Sequence, residues 1–589
     1  MSLRSLCLAS SLSLLSACAS GGVENSGHLQ PPPIPPPPAF CQDMQAFRAE
    51  ALREATNPDL RAAIERWQPP TTVPPKDRAA IEGLARTYIA RCGLHETIEL
   101  TRTLIAFPTV SSEAPAPEHP AFGDMARFLE QWCKKAGLGF SVYGPHDAWE
   151  ITLGQGVPML GYVMHADVVP VQPARGSTTA PVFSTADDAP AEWKRPPFRA
   201  EISDGKLYGR GAEDDKGPIA SVLVTLRALK AMGLEPPVQI LAMMGTGEEH
   251  DWDGMQRYVA AKRPPLFVVS IDADYPVVIA EAGFVAWSVG MKRAMGDGTA
   301  SSLGPKIVDA TAGEFLTQVP GLASMRVIPG AKQTQEELKR ELDRIILELS
   351  ERRPKPYLAE VTRDREGGYS VTAHGNAVHS SVADEGQNAL WLLSEIAGEL
   401  RPAPSAIAQV LEVVRSNFVD DHYGVKLGLA YEHAMMGKLL VAPTVLRVKD
   451  DRVVLSVNMR RPAGRSKQEF STALDGALKK LQEQVDSRIE EDGERYVGEP
   501  ALADLDGPLV PTLMDVYQRT TGQPAKPISV RGGTYARLFP GAVSFGPNFP
   551  GRTYRGHAPD EYIDLDALEL TTRMILEVSL RVTSPTAGP

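Results

Sequence analysis

The sequence has no excess of positive charge and no run rich in lysine and arginine. Its 589 residues include 61 Lys and Arg and 73 Asp and Glu, which gives a formal net charge of -12. A surface that binds nucleic acid needs clustered basic side chains, so this composition predicts no nucleic-acid partner. The sequence also has no internal repeat, which excludes a repeat array and leaves a chain long enough for two or more domains.

The N-terminus lacks an apolar run long enough to cross a bilayer. The short apolar stretch after Arg4 predicts a secretory signal over residues 1–17. Residues 15–18 (LSAC) resemble a bacterial lipobox, in which cleavage before the cysteine leaves Cys18 to carry a lipid. Alanine and serine follow it instead of aspartate, which resembles sorting to the outer membrane of a Gram-negative cell. We therefore expect a chain held at the periplasmic face of that membrane by its lipid alone; an ordinary secretory signal with a chance cysteine is the alternative.

Cysteine is scarce, with five residues in the whole chain. If Cys18 carries a lipid, the mature chain keeps three thiols in a compartment that permits disulfides. Cys41 and Cys92 open and close a segment with helical periodicity, so we predict that they pair and that Cys133 stays free on a buried helix. Three unpaired buried cysteines are the alternative, because a sequence does not fix the connectivity.

The region before residue 94 differs in composition from the rest of the chain. Residues 18–40 are rich in Gly, Ser and Pro, and the prolines between 31 and 38 predict a stiff polyproline II tether that lifts the folded part off a membrane. Residues 41–93 have apolar positions at helical spacing. They predict an added helical segment that carries no chemistry of its own.

From residue 160 to 287, four apolar runs end in side chains that can bind a metal ion. The runs are short, mostly Val, Ile, Leu and Met, and bounded by Gly or Pro, which is typical of strands buried on both faces of a parallel sheet. Ligands of such sheets bind beyond the carboxyl ends of the strands, so the sheet should gather these side chains in one crevice. They are His165 and Asp167; Asp214 and Asp215; Glu248, Glu249 and His250; and Asp272 and Asp274.

The pattern of strands followed by acids stops near residue 284, where mixed strands and helices without acid clusters begin. We therefore predict a first domain over 94–283, a second, smaller α/β domain inserted at 284–497, and a return to the first domain over 498–582. A further insertion at 172–198 is rich in Pro, Ala, Ser and Thr and predicts a surface loop.

Two histidines and several carboxylates form the donor set that a pair of zinc ions requires. Zinc binds histidine nitrogen and carboxylate oxygen, and two metals about 3.5–4 Å apart can polarise a carbonyl and activate bound water. His165, Asp214, Glu249 and Asp272, with a distant histidine such as His557, meet that requirement. A single acid at a strand end is more often a helix cap or a solvated charge. The recurrence of acids at four successive strand ends favours the metal site.

Eight short motifs together resemble the aminoacylase/carboxypeptidase family of di-zinc metallopeptidases, and within it the dipeptidases of the peptidase V and carnosinase kind. The motifs are HADVVP, LYGRGAEDDKGP, GTGEEH, SIDADYPV, GNAVHSS, VNMRRP, GGTYAR and GHAPDEYI. They keep an unbroken order over roughly residues 94 to 582, and the residues before them have no counterpart. The resemblance implies a zinc-exopeptidase-like α/β catalytic domain, with a central mostly parallel sheet flanked by helices, and makes the inserted domain a smaller α/β lid.

The resemblance also implies a role for each residue of the metal site. His165 and Asp272 would bind one zinc, while Asp214 would bridge both ions. Glu249 and His557 would complete the set of the other zinc. A cis peptide bond would join Asp214 to the residue that follows it.

Asp167 and Glu248 have implied roles beside the metal ligands. Asp167 would hold the imidazole of His165, and Glu248 would act as the general base. The residues alone leave open which of Glu248 and Glu249 is the base and which is the ligand. The choice of Glu248 comes from the resemblance.

The substrate-facing residues are likewise implied by the resemblance. His379 would reach over the crevice from the lid and donate to the oxyanion. Arg460 would clamp the terminal carboxylate of the substrate, although Arg461 is adjacent and could take that role instead. Gly533 and Thr534, in the GGTYAR motif, would also bind substrate.

The implied activity is hydrolysis of the peptide bond of dipeptides or short peptides, by a zinc-activated water with a glutamate as general base. The implied cofactors are two Zn²⁺ ions, with Mn²⁺ or Co²⁺ as substitutes, and the partner is a small peptide substrate. We expect a monomer, because the inserted domain is large enough to cover the site of its own chain. The alternatives are an N-acyl-amino-acid amidohydrolase with the same two metals and a lipid-anchored binding protein that has lost turnover.

Two features depart from the family pattern. The glycine that usually precedes the first histidine is Met164 here, which spares every metal-binding atom and affects only the geometry of the loop. The insertion at 172–198 and the extra length near 291–356 affect access to the crevice, so the substrate is less closely specified than the chemistry.

Overall fold

A computed structural model describes residues 36–171, 193–293, 304–352, 358–485 and 488–584. The predicted signal at 1–17, the lipidated Cys18, most of the tether at 18–40 and most of the insertion at 172–198 lie outside these residues. Within the described ranges, the helices do not combine the length and the apolar character needed to cross a membrane.

The described residues form helices and strands that we number in chain order. The helices are α1 (Met44–Glu54), α2 (Pro58–Arg66), α3 (Arg78–Tyr88), α4 (Leu94–Ile105), α5 (Pro120–Ala136), α6 (Lys216–Ala231), α7 (Asp253–Ala261), α8 (Gln335–Arg352), α9 (Ala389–Leu400), α10 (Ala406–Asn417), α11 (Lys467–Gln484), α12 (Leu509–Thr521) and α13 (Leu565–Val582). The strands are β1 (Gly139–Tyr143), β2 (Ala148–Leu153), β3 (Pro158–His165), β4 (Glu201–Ser203), β5 (Lys206–Tyr208), β6 (Gln239–Gly245), β7 (Phe267–Ser270), β8 (Ala273–Asp274), β9 (Val277–Glu281), β10 (Gly283–Lys292), β11 (Lys306–Ala312), β12 (Leu322–Ile328), β13 (Leu358–Arg363), β14 (Tyr369–His374), β15 (Glu432–His433), β16 (Gly437–Lys438), β17 (Leu440–Val448), β18 (Arg452–Arg461), β19 (Ile489–Glu491), β20 (Tyr496–Val497), β21 (Ala501–Leu502), β22 (Pro527–Val530), β23 (Val543–Ser544), β24 (Pro547–Asn548) and β25 (Tyr562–Asp564).

The first large sheet carries three of the four strands that the sequence predicts to be buried in a parallel sheet. The prediction is wrong for the run before Asp214, because its strand β5 lies in a separate antiparallel sheet with β4 and β25. Its order is β1-β2-β6-β3-β7-β23-β9-β21, with β22 also paired to β9. The central strands β6, β3, β7 and β23 run parallel to one another, while β1 and β2 are antiparallel additions at one edge. The predicted α/β fold with a central, mostly parallel sheet is therefore confirmed.

Helices cover both faces of this sheet, which explains why its central strands are apolar along nearly their whole length. Tyr162 and Met164 of β3 pack into one cluster with α4, α6 and α13. Val163, which points the other way, packs into a second cluster with α7 and the 3₁₀ helix Tyr535–Leu538. Because successive side chains of a strand point to opposite faces, a strand covered on both sides needs apolar residues at every position.

The second large sheet forms the lid. Its order is β13-β14-β12-β11-β17-β18-β10-β19, with β20 also paired to β10, and neighbouring strands are antiparallel. Alternating buried and partly exposed positions in β12 and β14 show that one face is covered, by helices that include α9 and α10. The chain enters this sheet at Gly283 and leaves it after Val497.

The N-terminal helical segment packs on the first domain. The predicted disulfide between Cys41 and Cys92 is present and joins the two ends of the segment. Among the described residues, Cys133 is a free cysteine and is buried on α5, also as predicted. The indole Nε1 of Trp67 donates to the carbonyl of Met232 at 2.9 Å, which fixes the segment to the end of α6.

Candidate metal centre

The parallel strands bring the predicted metal ligands together at one edge of the first sheet. His165 is the last residue of β3 and lies opposite Gly245, the last residue of β6. Glu249 follows β6, and Asp272 follows β7, the other neighbour of β3. Three adjacent parallel strands therefore end beside one another, and the loops that leave them carry the histidine and the acids.

Asp214 lies between the two predicted histidine ligands. Its Oδ1 is 2.7 Å from His165 Nε2, and its Oδ2 is 3.2 Å from His557 Nε2. His557 Nε2 also lies 3.0 Å from Glu249 Oε1. His165 Nε2 lies 3.7 Å from Asp272 Oδ2. One carboxylate thus faces an imidazole on each side, which is the arrangement that a ligand bridging two metals requires.

Two overlapping groups of side chains have donor atoms within 4.8 Å of one another. One group is His165, Asp214 and Glu249, and the other is His165, Glu248 and Asp272. The predicted base Glu248 therefore lies at the same crevice as the predicted ligands. The predicted cis peptide bond between Asp214 and Asp215 is present, and Asp215 Oδ2 accepts a hydrogen bond from His165 N at 3.1 Å.

Asp167 holds both the histidine and the loop of the two glutamates. Its carboxylate accepts hydrogen bonds from Glu248 N at 3.1 Å, from Glu249 N at 3.0 Å and from Ser111 Oγ at 2.7 Å. The imidazole Nδ1 of His165 lies 2.9 Å from the backbone oxygen of Asp167 and 3.5 Å from its Oδ1. The structure thus places the Asp167 carboxylate mainly on the glutamate loop, and its backbone oxygen on the imidazole.

The electrostatics of the crevice fit a divalent cation. Burial, reinforced by the charge of Asp214, raises the pKa of Asp272 to about 7. Burial and the charge of Asp272 raise the pKa of Glu248 well above its usual value. Burial also acts to raise the pKa of Asp214, but hydrogen bonds from His165 and His557 outweigh it and hold that pKa well below its usual value. Carboxylates packed this closely repel one another unless positive charge lies between them.

The donor set also fits zinc in its chemistry. It offers imidazole nitrogen and carboxylate oxygen, which are the ligands that zinc takes in catalytic sites. A further buried carboxylate oxygen, Asp215 Oδ1, makes no hydrogen bond within the described part of the chain. The residues present therefore suit a pair of cations held by His165, Asp214, Glu249, Asp272 and His557.

Tyr554 and Ser111 also contact this centre, and neither belongs to a motif that predicts it. The hydroxyl of Tyr554 donates to Asp214 Oδ2, and Ser111 donates to Asp167. Tyr554 lies just before the GHAPDEYI motif, but a single tyrosine or serine carries no spacing pattern that would mark it. Proximity to a motif was the only available signal for Tyr554, and Ser111 had none.

In the lid, His379 and Arg460 lie side by side. Arg460 Nη2 is 3.4 Å from His379 Nε2, and it donates to Ser380 Oγ at 2.8 Å. The neighbouring Arg461 is fully buried and donates to Gly498 O at 3.0 Å and to a nearby glutamate. Of the two adjacent arginines, Arg460 is thus the one beside the lid histidine, and Arg461 is engaged with the backbone where the chain leaves the lid.

Gly533 and Thr534 lie where the lid meets the catalytic domain. Thr534 donates through N and Oγ1 to the carboxylate of Glu281, at 2.9 and 2.8 Å. A Cβ on Gly533 would lie 2.6 Å from the guanidinium carbon of Arg537, so the position leaves no room for a side chain unless that arginine moves. Arg537 in turn lies 3.5 Å from Glu281, the last residue of β9 before the lid begins.

Comparison with known proteins gives three kinds of match. A model of the peptidase family M20/M25/M40 matches residues 162–581. The chain is 30% identical to the putative dipeptidase YtjP of Bacillus subtilis (strain 168) over 429 residues, which cover 72% of this chain and 83% of that protein. It is 27% identical to the Beta-Ala-Xaa dipeptidase of Lactobacillus delbrueckii subsp. lactis over 476 residues, which cover 78% of this chain and 89% of that protein. The crystal structure of human carnosine dipeptidase 1 shares the fold, with a TM-score of 0.51 and 14% identity over 85% of this chain and 99% of that one.

Proposed function

The chain belongs to peptidase family M20/M25/M40, and from this premise we propose that it is a dipeptidase that uses two zinc ions and Glu248 as its general base. The observation that carries the proposal is the position of Asp214 between His165 and His557, at the carboxyl ends of the parallel strands. The names of the two relatives described above, a putative dipeptidase and a Beta-Ala-Xaa dipeptidase, support a dipeptide as the substrate.

The proposal assigns each metal three protein ligands. His165, Asp214 and Asp272 would hold one ion, and Asp214, Glu249 and His557 the other. When bound, the ions polarise the scissile carbonyl and activate a water molecule for attack. Mn²⁺ or Co²⁺ would serve as substitutes, because both accept imidazole and carboxylate ligands.

Glu248 would move the proton. Its backbone N is held by Asp167, and its backbone O accepts a hydrogen bond from Trp252 Nε1 at 2.5 Å. Its side chain shares a site with His165 and Asp272. The carboxylate would take a proton from the attacking water and pass it to the leaving amine as the peptide C–N bond breaks, which yields two amino acids.

His379 and Arg460 would bind the oxygens of the substrate. Ser381 N donates to His379 Nδ1 at 3.3 Å, so the proton of the neutral ring belongs on Nε2. Desolvation, together with the charges of Arg460 and His557, lowers the pKa of His379 although its side chain is exposed at the surface, so the ring is neutral at pH 7. The two donors His379 Nε2 and Arg460 Nη2 then face each other at 3.4 Å. Neither can accept from the other, so each would donate to a substrate oxygen, His379 to the oxyanion and Arg460 to the terminal carboxylate.

An assay of the purified chain tests the proposed activity directly. The apoprotein would be loaded with zinc, cobalt or manganese and offered a panel of dipeptides, tripeptides and N-acetyl amino acids. We expect amino-acid release from dipeptides that depends on added metal. Metal binding without turnover of any substrate would instead favour a binding protein, and faster release from N-acyl amino acids would favour a deacylase.

We also propose that the enzyme is anchored in the cell envelope by a lipid on Cys18. The lipobox-like residues 15–18 support this location, and so does the disulfide between Cys41 and Cys92, because disulfides persist in oxidising compartments. Fractionation of cells expressing Cys18→Ser tests the proposal. The variant should move from the membrane to the soluble fraction, whereas a variant that remains membrane-bound would refute the anchor.

A further inference from the structure

Glu561 is a fully buried carboxylate that lies four residues after His557. Its side chain accepts hydrogen bonds from four donors, all of which belong to the segment that ends at Asp214. The Oε2 atom accepts from Arg210 Nη1 at 2.7 Å and Gly211 N at 3.0 Å, and the Oε1 atom accepts from Glu213 N at 3.0 Å and Asp214 N at 3.2 Å. The Asp214 backbone is therefore fixed directly by Glu561.

The backbone of Glu561 extends the same attachment. Its carbonyl accepts a hydrogen bond from Gly209 N at 3.0 Å, and the strand that follows it, β25, pairs with β5 just before residue 209. Gly211 has a φ of +88°, and a Cβ there would lie 2.9 Å from the side chain of Lys216. Hydrogen bonds to Glu561 and the close approach at Gly211 thus restrict the backbone of the segment 209–214.

A second glutamate makes the reciprocal contact. Glu213, next to Asp214, accepts a hydrogen bond from Arg555 N at 2.6 Å, two residues before His557. The segment 209–214 carries the predicted ligand Asp214 and the carboxylate of Glu213, and the segment 555–561 carries the predicted ligand His557 and the carboxylate of Glu561. Each carboxylate holds the backbone of the other segment. Between them lie Asp214 Oδ2 and His557 Nε2, 3.2 Å apart.

The burial of the Glu561 carboxylate makes its hydrogen bonds important for the position of the Asp214 backbone. The only charged side chain that donates to Glu561 within the described residues is Arg210, which is itself buried. A buried carboxylate destabilises the folded chain unless its hydrogen-bond partners are well placed. Residues that do not touch a metal can orient its ligands through hydrogen bonds. Removal of such a hydrogen bond typically lowers the affinity for the metal by about 10–100-fold.

We propose that Glu561 is a positioning residue that sets the separation of Asp214 and His557. It thereby determines how tightly the metal ion assigned to Asp214, Glu249 and His557 is held. The proposal rests on the proposed function in assuming that these two residues are metal ligands. It goes further in assigning a task to a residue that touches neither metal nor substrate.

Cobalt titration of the full chain, followed by visible absorption and by competition with a chelator, tests the proposal. Glu561→Gln keeps the size of the side chain but leaves one acceptor atom, so one pair of N–H donors would face an amide NH₂ group. We expect the affinity for one of two Co²⁺ ions to fall by about 10–100-fold, with a changed absorption spectrum for that ion. Glu561→Asp, which keeps both acceptors and the charge, should recover part of the affinity.

Glu577→Gln is the matched control. It removes a carboxylate from α13 that pairs with Arg86, away from the metal centre, and it should bind cobalt as the wild type does. Wild-type affinity and spectrum in Glu561→Gln would overturn the proposal, even if the variant melts at a lower temperature. If Glu561→Gln does not fold, Glu561→Asp decides, because cobalt binding identical to the wild type would also overturn it. A wild-type chain that binds no cobalt would instead refute the proposed function and this role with it.

Discussion

Arg531 forms an ion pair with Asp384 that joins the catalytic domain to the lid. Arg531 Nη1 donates to both carboxylate oxygens of Asp384, at 2.8 and 3.1 Å. Arg531 follows β22 of the first sheet, and Asp384 lies in the 3₁₀ helix Ser380–Glu385, which begins directly after His379. The pair therefore fixes the element that carries the lid histidine relative to the metal crevice.

Asp384→Asn should weaken this attachment and lower kcat/KM. A hydrogen bond between charged groups contributes about 1.5–3 kcal/mol when it is shielded from water, and these side chains are 32% and 18% exposed, so we expect the lower part of that range. The predicted loss in kcat/KM is about tenfold, measured by steady-state kinetics, together with a larger radius of gyration in solution scattering. Asp364→Asn is the control, because Asp364 pairs with Arg326 inside the lid. Unchanged kinetics and scattering in Asp384→Asn would show that the pair does not hold the lid.

Glu248→Ala should keep both metals and lose most turnover. The side chain is assigned to proton transfer, and a general base contributes about 10²–10⁴-fold to the rate. Glu249→Ala should instead lose one metal, because Glu249 Oε1 lies 3.0 Å from His557 Nε2 within the proposed second set. Metal content by atomic spectroscopy and kcat on one dipeptide measure the two effects. Equal metal loss in the two variants would contradict the separation of base from ligand.

The sequence predicts the metal centre because its residues follow a regular local pattern. His165 ends β3, while Glu249 and Asp272 follow β6 and β7, and these parallel strands bring the three residues together at one edge of the sheet. Asp214 reaches the same place from the segment between β5 and α6, which does not belong to that sheet. The sequence favoured a disulfide between Cys41 and Cys92 because they stand at the two ends of one helical segment, but it left unpaired cysteines as an alternative, and the structure shows the bridge.

Other contacts could not be predicted, because they join residues far apart in the chain without any periodic signal. Glu561 meets the segment at 210–214 only after the chain has built the lid and returned to the first domain. The contact between Arg531 and Asp384 depends on how the two domains pack against each other. The sequence predicted the Asp167 side chain as the partner of the His165 imidazole. In the structure the backbone oxygen of Asp167 lies closer to His165 Nδ1 than its carboxylate does.

His379 should act on the crevice of its own chain. The ion pair between Arg531 and Asp384 holds the 3₁₀ helix that begins after His379 against the first domain of the same chain. Mixing His379→Ala with Glu248→Ala should therefore restore no activity, and sedimentation should give the mass of a monomer. The mixture restores activity only if a subunit lends its histidine to a partner, and that result would overturn the prediction. Wild-type protein mixed with either variant is the control for subunit exchange.

Reduction of the disulfide should lower stability without changing catalysis. The bridge closes a loop across 51 residues of sequence, and its loss typically costs about 2–4 kcal/mol by freeing the unfolded chain. Cys41→Ser and Cys92→Ser should both melt at a lower temperature than the wild type, and the double variant should melt like the single ones. All should keep the wild-type kcat, since the segment packs on α6 away from the strand ends. A catalytic defect in these variants would mean that the N-terminal segment shapes the crevice.

The preferred substrate should be a dipeptide with a free amino terminus and a free carboxylate. Arg460 can clamp the carboxylate of any substrate that ends in an amino acid, so it does not separate dipeptides from N-acyl amino acids. That separation depends on the amine end. The crevice is rich in acids and includes Asp214, Glu248 and Asp272, which would attract an ammonium group and gain nothing from an acetyl group.

The length of the peptide substrate should affect kcat/KM for a separate reason. The lid is tied to the catalytic domain through Arg531 and Asp384, so residues beyond the second would meet the closed lid. We therefore expect the highest kcat/KM for dipeptides, slower cleavage of tripeptides, and little action on N-acetyl amino acids at equal concentration. Asp384→Asn should narrow the gap between dipeptides and tripeptides, because an opened lid admits a longer chain, whereas it should leave the discrimination against N-acetyl amino acids unchanged. If the zinc-loaded protein cleaves N-acyl amino acids faster than every dipeptide in a broad panel, the acids of the crevice do not select the amine, and the enzyme is a deacylase with the same metals.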